Sequence, residues 1–222
     1  MAQVWSIVVA GGSGRRFGRL KQFVLLADRP VLEWAVEACR PRSAGIVLVL
    51  PAGLDDPDGH GADAVVEGGV TRADSVRAGI AAVPGDAEVI VVHDAARPLA
   101  SPALFDAVID AVTDGGADGA VPGVPLSDTI KAVDESGHVT STLDRSALVA
   151  VQTPQAFRAD TLRRAHERDG EGGSGATDDA VLVEALGATV RVVPGEPGNL
   201  KITDPDDLRA AERFLGPAEA GA

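Results

Sequence analysis

Three features of the chain predict an α/β fold with a mainly parallel sheet, helices on both faces and a protruding β-hairpin arm. Short β-branched runs alternate with segments of helical spacing. Several of those runs are apolar at every position, as in strands covered on both faces. The alternation breaks once, near Asp128, into two short runs of period two around a turn signal.

Val4 to Ala10 is apolar and β-branched and reads as the first strand, followed at once by a glycine-rich loop. Pro30 to Arg40 places Val31, Leu32, Ala35, Val36 and Cys39 at helical spacing, with the proline in the first turn where its missing N–H costs nothing. Gly45 to Leu50 and Asp63 to Glu67 are the next strands, and Arg72 to Val83 is a helix. Glu88 to His93 is an apolar strand that ends on polar residues; a helix over Pro102 to Val112 and a strand over Ala117 to Val124 follow. This order favours parallel strands joined by right-handed crossovers. Thr129 to Val133 and Val139 to Leu143, joined by Glu135-Ser136-Gly137, form the hairpin. After it come a strand over Leu148 to Gln152, a helix over Ala159 to Arg168, a helix from about Thr177 and a strand over Thr189 to Val193. The last helix starts after Thr203-Asp204-Pro205, with Thr203 or Asp204 as N-cap. No internal repeat is visible.

With 222 residues the chain fits a single domain, read as residues 1–216 with the arm at about 128–145 and a frayed Gly/Ala tail at 217–222. Aromatic residues are 3% and tyrosine is absent, so the core falls to Val, Leu, Ile and Ala. A net charge of −13 argues against nucleic acid or an anionic membrane as partner. Against that field stands one basic cluster, Arg15, Arg16, Arg19 and Lys21, in a stretch without acid. A small anionic ligand accounts for it. Cys39 is the only cysteine, so no intrachain disulfide forms; among Trp34, Ala35, Val36 and Ala38 it reads as a buried helical thiol in a reducing cytoplasm. No stretch reaches the roughly 18 apolar residues of a membrane span, and the opening run lacks the basic leader of a signal peptide. His60, His138 and His166 are scattered without metal-ligand spacing, and His93 reads as structural.

The loop Ala10-Gly11-Gly12-Ser13-Gly14-Arg15-Arg16-Phe17-Gly18 carries the chemistry. Glycines let backbone N–H groups approach a polyphosphate, and arginines add paired donors. A dinucleotide fingerprint needs a small residue where Phe17 stands, which also disfavours a nicotinamide dehydrogenase. A P-loop needs Gly-Lys-Ser/Thr, and a nucleophile elbow on Ser13 needs glycine at position 15. What remains is a phosphate-binding loop of nucleotidyltransferase type that ends in Lys21-Gln22-Phe23.

Further along stand Gly68-Gly69, Arg72-Ala73-Asp74-Ser75-Val76 and Val92-His93-Asp94-Ala95-Ala96-Arg97-Pro98, then Asp128-Thr129-Ile130-Lys131, Thr153-Pro154-Gln155 and Thr177-Asp178-Asp179-Ala180. This ordered set resembles the 2-C-methyl-D-erythritol 4-phosphate cytidylyltransferase family of the non-mevalonate isoprenoid pathway, from about residue 4 to residue 214. The resemblance implies a Rossmann-like sheet of nucleotidyltransferase type and transfer of CMP from CTP to a sugar-alcohol phosphate, with magnesium and release of pyrophosphate. It implies a homodimer in which the arm crosses to the partner subunit. By the same resemblance, Arg16 and Lys21 stabilise charge on the triphosphate, with Arg15 as the alternative arginine. Asp94 lies beside the magnesium. Ala10, Gly11, Gly12, Gly14, Gly69, Ser75, Asp94, Ala95 and Arg97 hold the nucleotide. Thr129, Arg145, Thr153, Thr177 and Lys201 hold the acceptor, with Arg145 and Lys201 on its phosphate. Ser75 reads equally well as a surface residue of a first helical turn.

A phosphate monoester, with a second pKa of roughly 6, is already a nucleophile at neutral pH, so the chemistry reduces to positioning and charge stabilisation. The chain departs from the family pattern in a short loop between Arg16 and Lys21, in Val9 and Gly11, and in Val70 where a polar residue is frequent. A ribitol 5-phosphate or other pentitol phosphate cytidylyltransferase is the alternative, disfavoured by the Asp94-Ala95-Ala96-Arg97-Pro98 wording. A nucleotide-binding module without turnover is disfavoured because Arg145 and Lys201 accompany Arg16, Lys21 and Asp94.

Overall fold

The computed structural model of the chain describes residues 2–11, 20–54, 58–170, 176 and 178–215. Gly12, Gly14, Arg15, Arg16, Thr177 and the tail 217–222 lie outside those residues.

The elements follow as β1 (Val4–Val9), β2 (Leu25–Leu26), β3 (Arg29–Pro30), α1 (Val31–Cys39), β4 (Gly45–Leu50), β5 (Ala64–Glu67), α2 (Arg72–Ala82), β6 (Val89–Asp94) and α3 (Pro102–Thr113). Then come β7 (Gly119–Pro125), β8 (Lys131–Val133), β9 (Val139–Thr142), β10 (Val149–Val151), β11 (Gln155–Arg158), α4 (Ala159–Gly170), α5 (Asp179–Glu184), β12 (Val190–Pro194) and α6 (Pro205–Leu215). The main sheet runs β10-β7-β11-β6-β1-β4-β5, and β12 also pairs with β7. β5, β4, β1 and β6 are parallel neighbours, as are β7 and β12; β10 and β11 run antiparallel.

Successive side chains of a strand face opposite ways. Ile46, Leu48 and Leu50 of β4 therefore enter one core with α1 and α3, while Val47 and Val49 enter a second core with α2, α4 and α5. This double cover explains the unbroken apolar wording of β4 and of Val89–Val92 in β6. Cys39 is wholly buried in the first core, and burial pushes its thiol up to about 12, so it is an unreactive packing residue. α2 packs tightly on the sheet: a Cβ at Gly79 would lie 2.5 Å from Ile7 Cγ2.

Two elements depart from the sequence reading. The strand near Val151 does not lead directly into α4; Gln155–Arg158 forms β11, wedged antiparallel between β6 and β7. Four residues carry too little periodicity to announce a strand. Its fit depends on distant partners: Phe157 fills space that a Cβ on Gly119 would occupy, at 2.6 Å. The β2–β3 hairpin turns through Ala27 and Asp28 at φ 47 and 62, a left-handed turn without the Asn-Gly wording that signals one. The arm is present as β8 paired with β9, and its Val133, Val139 and Leu143 are exposed. At the last helix the choice falls on Asp204, whose Oδ1 accepts from the N–H groups of Asp206 and Asp207.

Candidate active site

Chain leaving β1 stays beside its neighbours: the Ala10 N–H donates to the Val49 carbonyl at 2.8 Å and the Ala95 N–H to Val9 at 3.0 Å. β1 has β4 on one side and β6 on the other, so its carboxyl end is the switch point where open α/β sheets bind ligands. A cleft of about 300 Å³ lies there, lined by residues 9–11, 21–22, 69–72, Ser75, 94–96 and Lys201.

The glycine side of the cleft is built around Ser75, which the structure buries in the first turns of α2. Ser75 Oγ donates to the Thr71 carbonyl at 3.0 Å and accepts the Gly69 N–H at 3.2 Å. A Cβ on Gly11 would sit 3.1 Å from that hydroxyl, and one on Gly69 would sit 2.2 Å from Asp74 Cβ. Only glycine permits this approach at 69. Thr71 caps α2, its Oγ1 accepting the Asp74 N–H while Asp74 answers the Thr71 N–H. Gln22, buried, donates to the Ala10 carbonyl at 2.8 Å and ties the Lys21–Phe23 turn to the end of β1.

The opposite side is charged. Asp94, at the end of β6, is nearly buried; Lys201 Nζ lies 2.6 Å from its Oδ2 and Arg72 Nε 3.5 Å from its Oδ1. Burial by itself would raise the Asp94 carboxyl, but Arg72, Lys201 and Arg97 together hold it well below the usual carboxylate range. The carboxylate is thus ionised at neutral pH. Arg72 in turn donates from Nη1 to Asp179 Oδ2 at 2.8 Å, and Asp179 Oδ1 pairs with His166 Nε2 at 2.9 Å. Lys21 Nζ donates to the Ile202 carbonyl at 2.9 Å.

A neutral hydrogen-bond chain fixes the Asp94 backbone. The Asp94 N–H donates to Thr153 Oγ1 at 3.0 Å, and that hydroxyl lies 3.1 Å from His93 Nδ1. His93 Nε2 is 3.0 Å from the Arg97 carbonyl, which can only accept, so the ring proton is on Nε2 and Nδ1 accepts from Thr153. Burial holds the ring at about 4, hence neutral. Lys201 is placed by its own segment: buried Asn199 donates to the Thr153 carbonyl at 2.9 Å, Arg97 donates to the Asn199 carbonyl at 2.8 Å, and the Ile202 N–H donates to Ala96 at 2.8 Å.

Ala10, Gly11, Lys21, Gly69, Ser75, Asp94, Ala95 and Lys201 thus meet in one cleft. Arg97 and Thr153 lie behind it, acting on Asn199 and Asp94. Thr129 and Arg145 are exposed on the arm, where Arg145 Nη1 donates to the Ser127 carbonyl, and neither lines this chain's cleft. Arg72 lines the cleft although the sequence reading assigned it no role. Its signal was there: an arginine just after a capping threonine, three residues before Ser75.

An ionised carboxylate flanked by cations at the carboxyl ends of parallel strands, opposite a glycine-bounded hollow, defines a nucleotidyltransferase-type α/β protein. Residues 4–217 match the family described as "IspD: 2-C-methyl-D-erythritol 4-phosphate cytidylyltransferase". The chain belongs to that family. It is 40% identical over 228 residues to the 2-C-methyl-D-erythritol 4-phosphate cytidylyltransferase of Desulforamulus reducens, covering 97% of both chains. It is 46% identical to a bifunctional enzyme IspD/IspF of Nitratidesulfovibrio vulgaris, over 93% of this chain and 56% of the relative, so it spans about half the length of such bifunctional proteins. The crystal structure of the cytidylyltransferase from Thermus thermophilus superposes with a TM-score of 0.81 at 36% identity, over 94% of this chain and 97% of that one.

Proposed function

We propose that this chain transfers CMP from CTP to 2-C-methyl-D-erythritol 4-phosphate, releasing pyrophosphate, in isoprenoid precursor synthesis. The observation that carries the proposal is the convergence of ionised Asp94, Lys201 and Lys21 on one cleft with the Gly11–Gly69–Ser75 hollow. The base and ribose occupy that hollow, where backbone can approach a flat ligand closely. The triphosphate lies towards Lys21, and the charges of Lys21 and Arg16 meet the negative charge that gathers on phosphoryl oxygens during displacement. Lys201, with Arg145, holds the acceptor phosphate, which attacks the α-phosphorus in line without a general base.

Asp94 fits magnesium: it is a hard, ionised oxygen donor in the cleft, and this metal commonly uses one or two carboxylates with substrate phosphates and water. Bound there, the metal neutralises triphosphate charge.

The proposal includes a homodimer. Thr129 and Arg145 sit on an arm whose Val133 and Val139 are 58% and 60% exposed, and a partner's cleft is a place where both kinds of residue find use. A cytoplasmic location accords with Cys39 as a buried free thiol. No helix among the described residues is long and apolar enough to cross a membrane.

Pyrophosphate release from CTP and magnesium, measured with 2-C-methyl-D-erythritol 4-phosphate and with ribitol 5-phosphate, tests the reading. Turnover with the first and little with the second is expected. Equal or faster turnover with ribitol 5-phosphate refutes the acceptor, and none with either refutes the activity.

A further inference from the structure

We propose that Arg72 is a further catalytic cation, acting on the α-phosphate of the nucleotide, and that the buried His166–Asp179 pair positions it. The inference rests on the cytidylyl-transfer reading above and extends it to residues that reading does not use.

Arg72 is the first residue of α2, so the Thr71–Asp74 capping box fixes its backbone. Its side chain is then gripped along one edge. Nη1 donates to Asp179 Oδ2 at 2.8 Å and Nε lies 3.5 Å from Asp94 Oδ1, while Nη2 has no acceptor among the described residues. Asp179, in the first turn of α5, and His166, in α4, are each only 1% exposed at the side chain and joined at 2.9 Å. The line His166–Asp179–Arg72–Asp94 therefore begins in the second core and ends in the cleft.

A buried carboxylate is costly unless paired, and pairing alone seldom gains stability over apolar packing. Here the partner is a guanidinium that lines the cleft rather than one enclosed with it. Its position selects the ligand group. With the base at Gly69 and Ser75 and the triphosphate at Asp94, the α-phosphate lies between them, beside Arg72. As the acceptor oxygen bonds to the α-phosphorus, the bond to the β-phosphate oxygen breaks and pyrophosphate leaves with the electron pair. Charge on the non-bridging α-oxygens meets a donor already held in place, which is where fixed cations are most effective.

The test uses Arg72→Lys, Asp179→Asn and the double variant Arg72→Met/Asp179→Asn. Asn at 179 still accepts from His166, and the double variant leaves no unpaired buried charge. Steady-state pyrophosphate release gives kcat and the KM of each substrate, and a thermal melt reports folding. The double variant is expected to fold and to lose about a hundredfold or more in kcat, the scale of one transition-state donor, with little change in acceptor KM. Arg72→Lys recovers part of that loss. Asp179→Asn loses activity despite leaving Arg72 intact. A folded double variant with wild-type kcat overturns the proposal, and so does a loss confined to acceptor KM. If the double variant does not fold, Asp179→Asn with wild-type kcat overturns it. Wild-type protein that releases no pyrophosphate refutes the cytidylyl-transfer reading instead, a result distinct from all of these.

Discussion

Arg145→Met and Lys201→Met, prepared in separate chains and then mixed, test whether the arm completes its own cleft or a partner's. Each substitution removes a charged donor from the proposed acceptor phosphate, so each alone should cost about ten- to a hundredfold in kcat/KM, the range for hydrogen bonds to charged groups. The structure places Lys201 in the cleft, 2.6 Å from Asp94, and Arg145 on the exposed arm, outside that cleft. If Arg145 serves a partner, a mixed dimer has one cleft carrying both lesions and one carrying none. Random re-pairing makes half the dimers mixed, so the pool should regain about a quarter of wild-type activity, far above either parent. The assay is pyrophosphate release after exchange at high salt or mild denaturant, with two different tags confirming that mixed dimers form. No recovery in a pool shown to contain mixed dimers would refute the trans arrangement, since every cleft would then carry one lesion.

His93 and Thr153 give two further expectations. The folded protein holds His93 neutral to about 4 against an ordinary 6.5, so between those values the unfolded chain binds the extra proton. His93 then makes stability fall as pH drops from about 6.5 to 4, by roughly 3 kcal/mol across the window, and makes no further change below it. Urea melts of His93→Gln, which cannot take up the proton, should show a shallower acid loss; an identical slope to wild type would contradict the assignment. Thr153→Val strands the buried Asp94 N–H and should cost about 1–3 kcal/mol and raise the KM for CTP, with Thr153→Ser restoring both. A raised acceptor KM with unchanged CTP kinetics would place the hydroxyl on the acceptor instead.

What the sequence made legible is what acts locally. The six apolar residues of β4 announce a doubly covered strand because burial on both faces leaves no polar position, and Gly11, in a glycine-rich loop directly after β1, announces close backbone approach, since a Cβ there would crowd the Ser75 hydroxyl at 3.1 Å. Side chains whose meaning lies in a distant partner were less legible. Ser75 reads equally as surface or site in the sequence; in the fold Gly69 and Gly11 lie against its hydroxyl. Thr153, read through the resemblance as an acceptor contact, is buried and occupied by His93 and Asp94, 60 and 59 positions away. Arg72 passed as part of a motif because Asp179, 107 positions on, is what turns a helix-start arginine into a fixed charge. Asp94 is legible as a polar residue ending an apolar strand, whereas Lys201, its partner 107 positions on, is legible only through the family resemblance. Residue type tells which chemistry a side chain can perform, but its partners decide how much of that capacity remains. A threonine hydroxyl that already donates to an imidazole and accepts from a backbone N–H has one lone pair left for a ligand. That is why the cleft-facing charges are stronger candidates for substrate contact here than the threonines beside them.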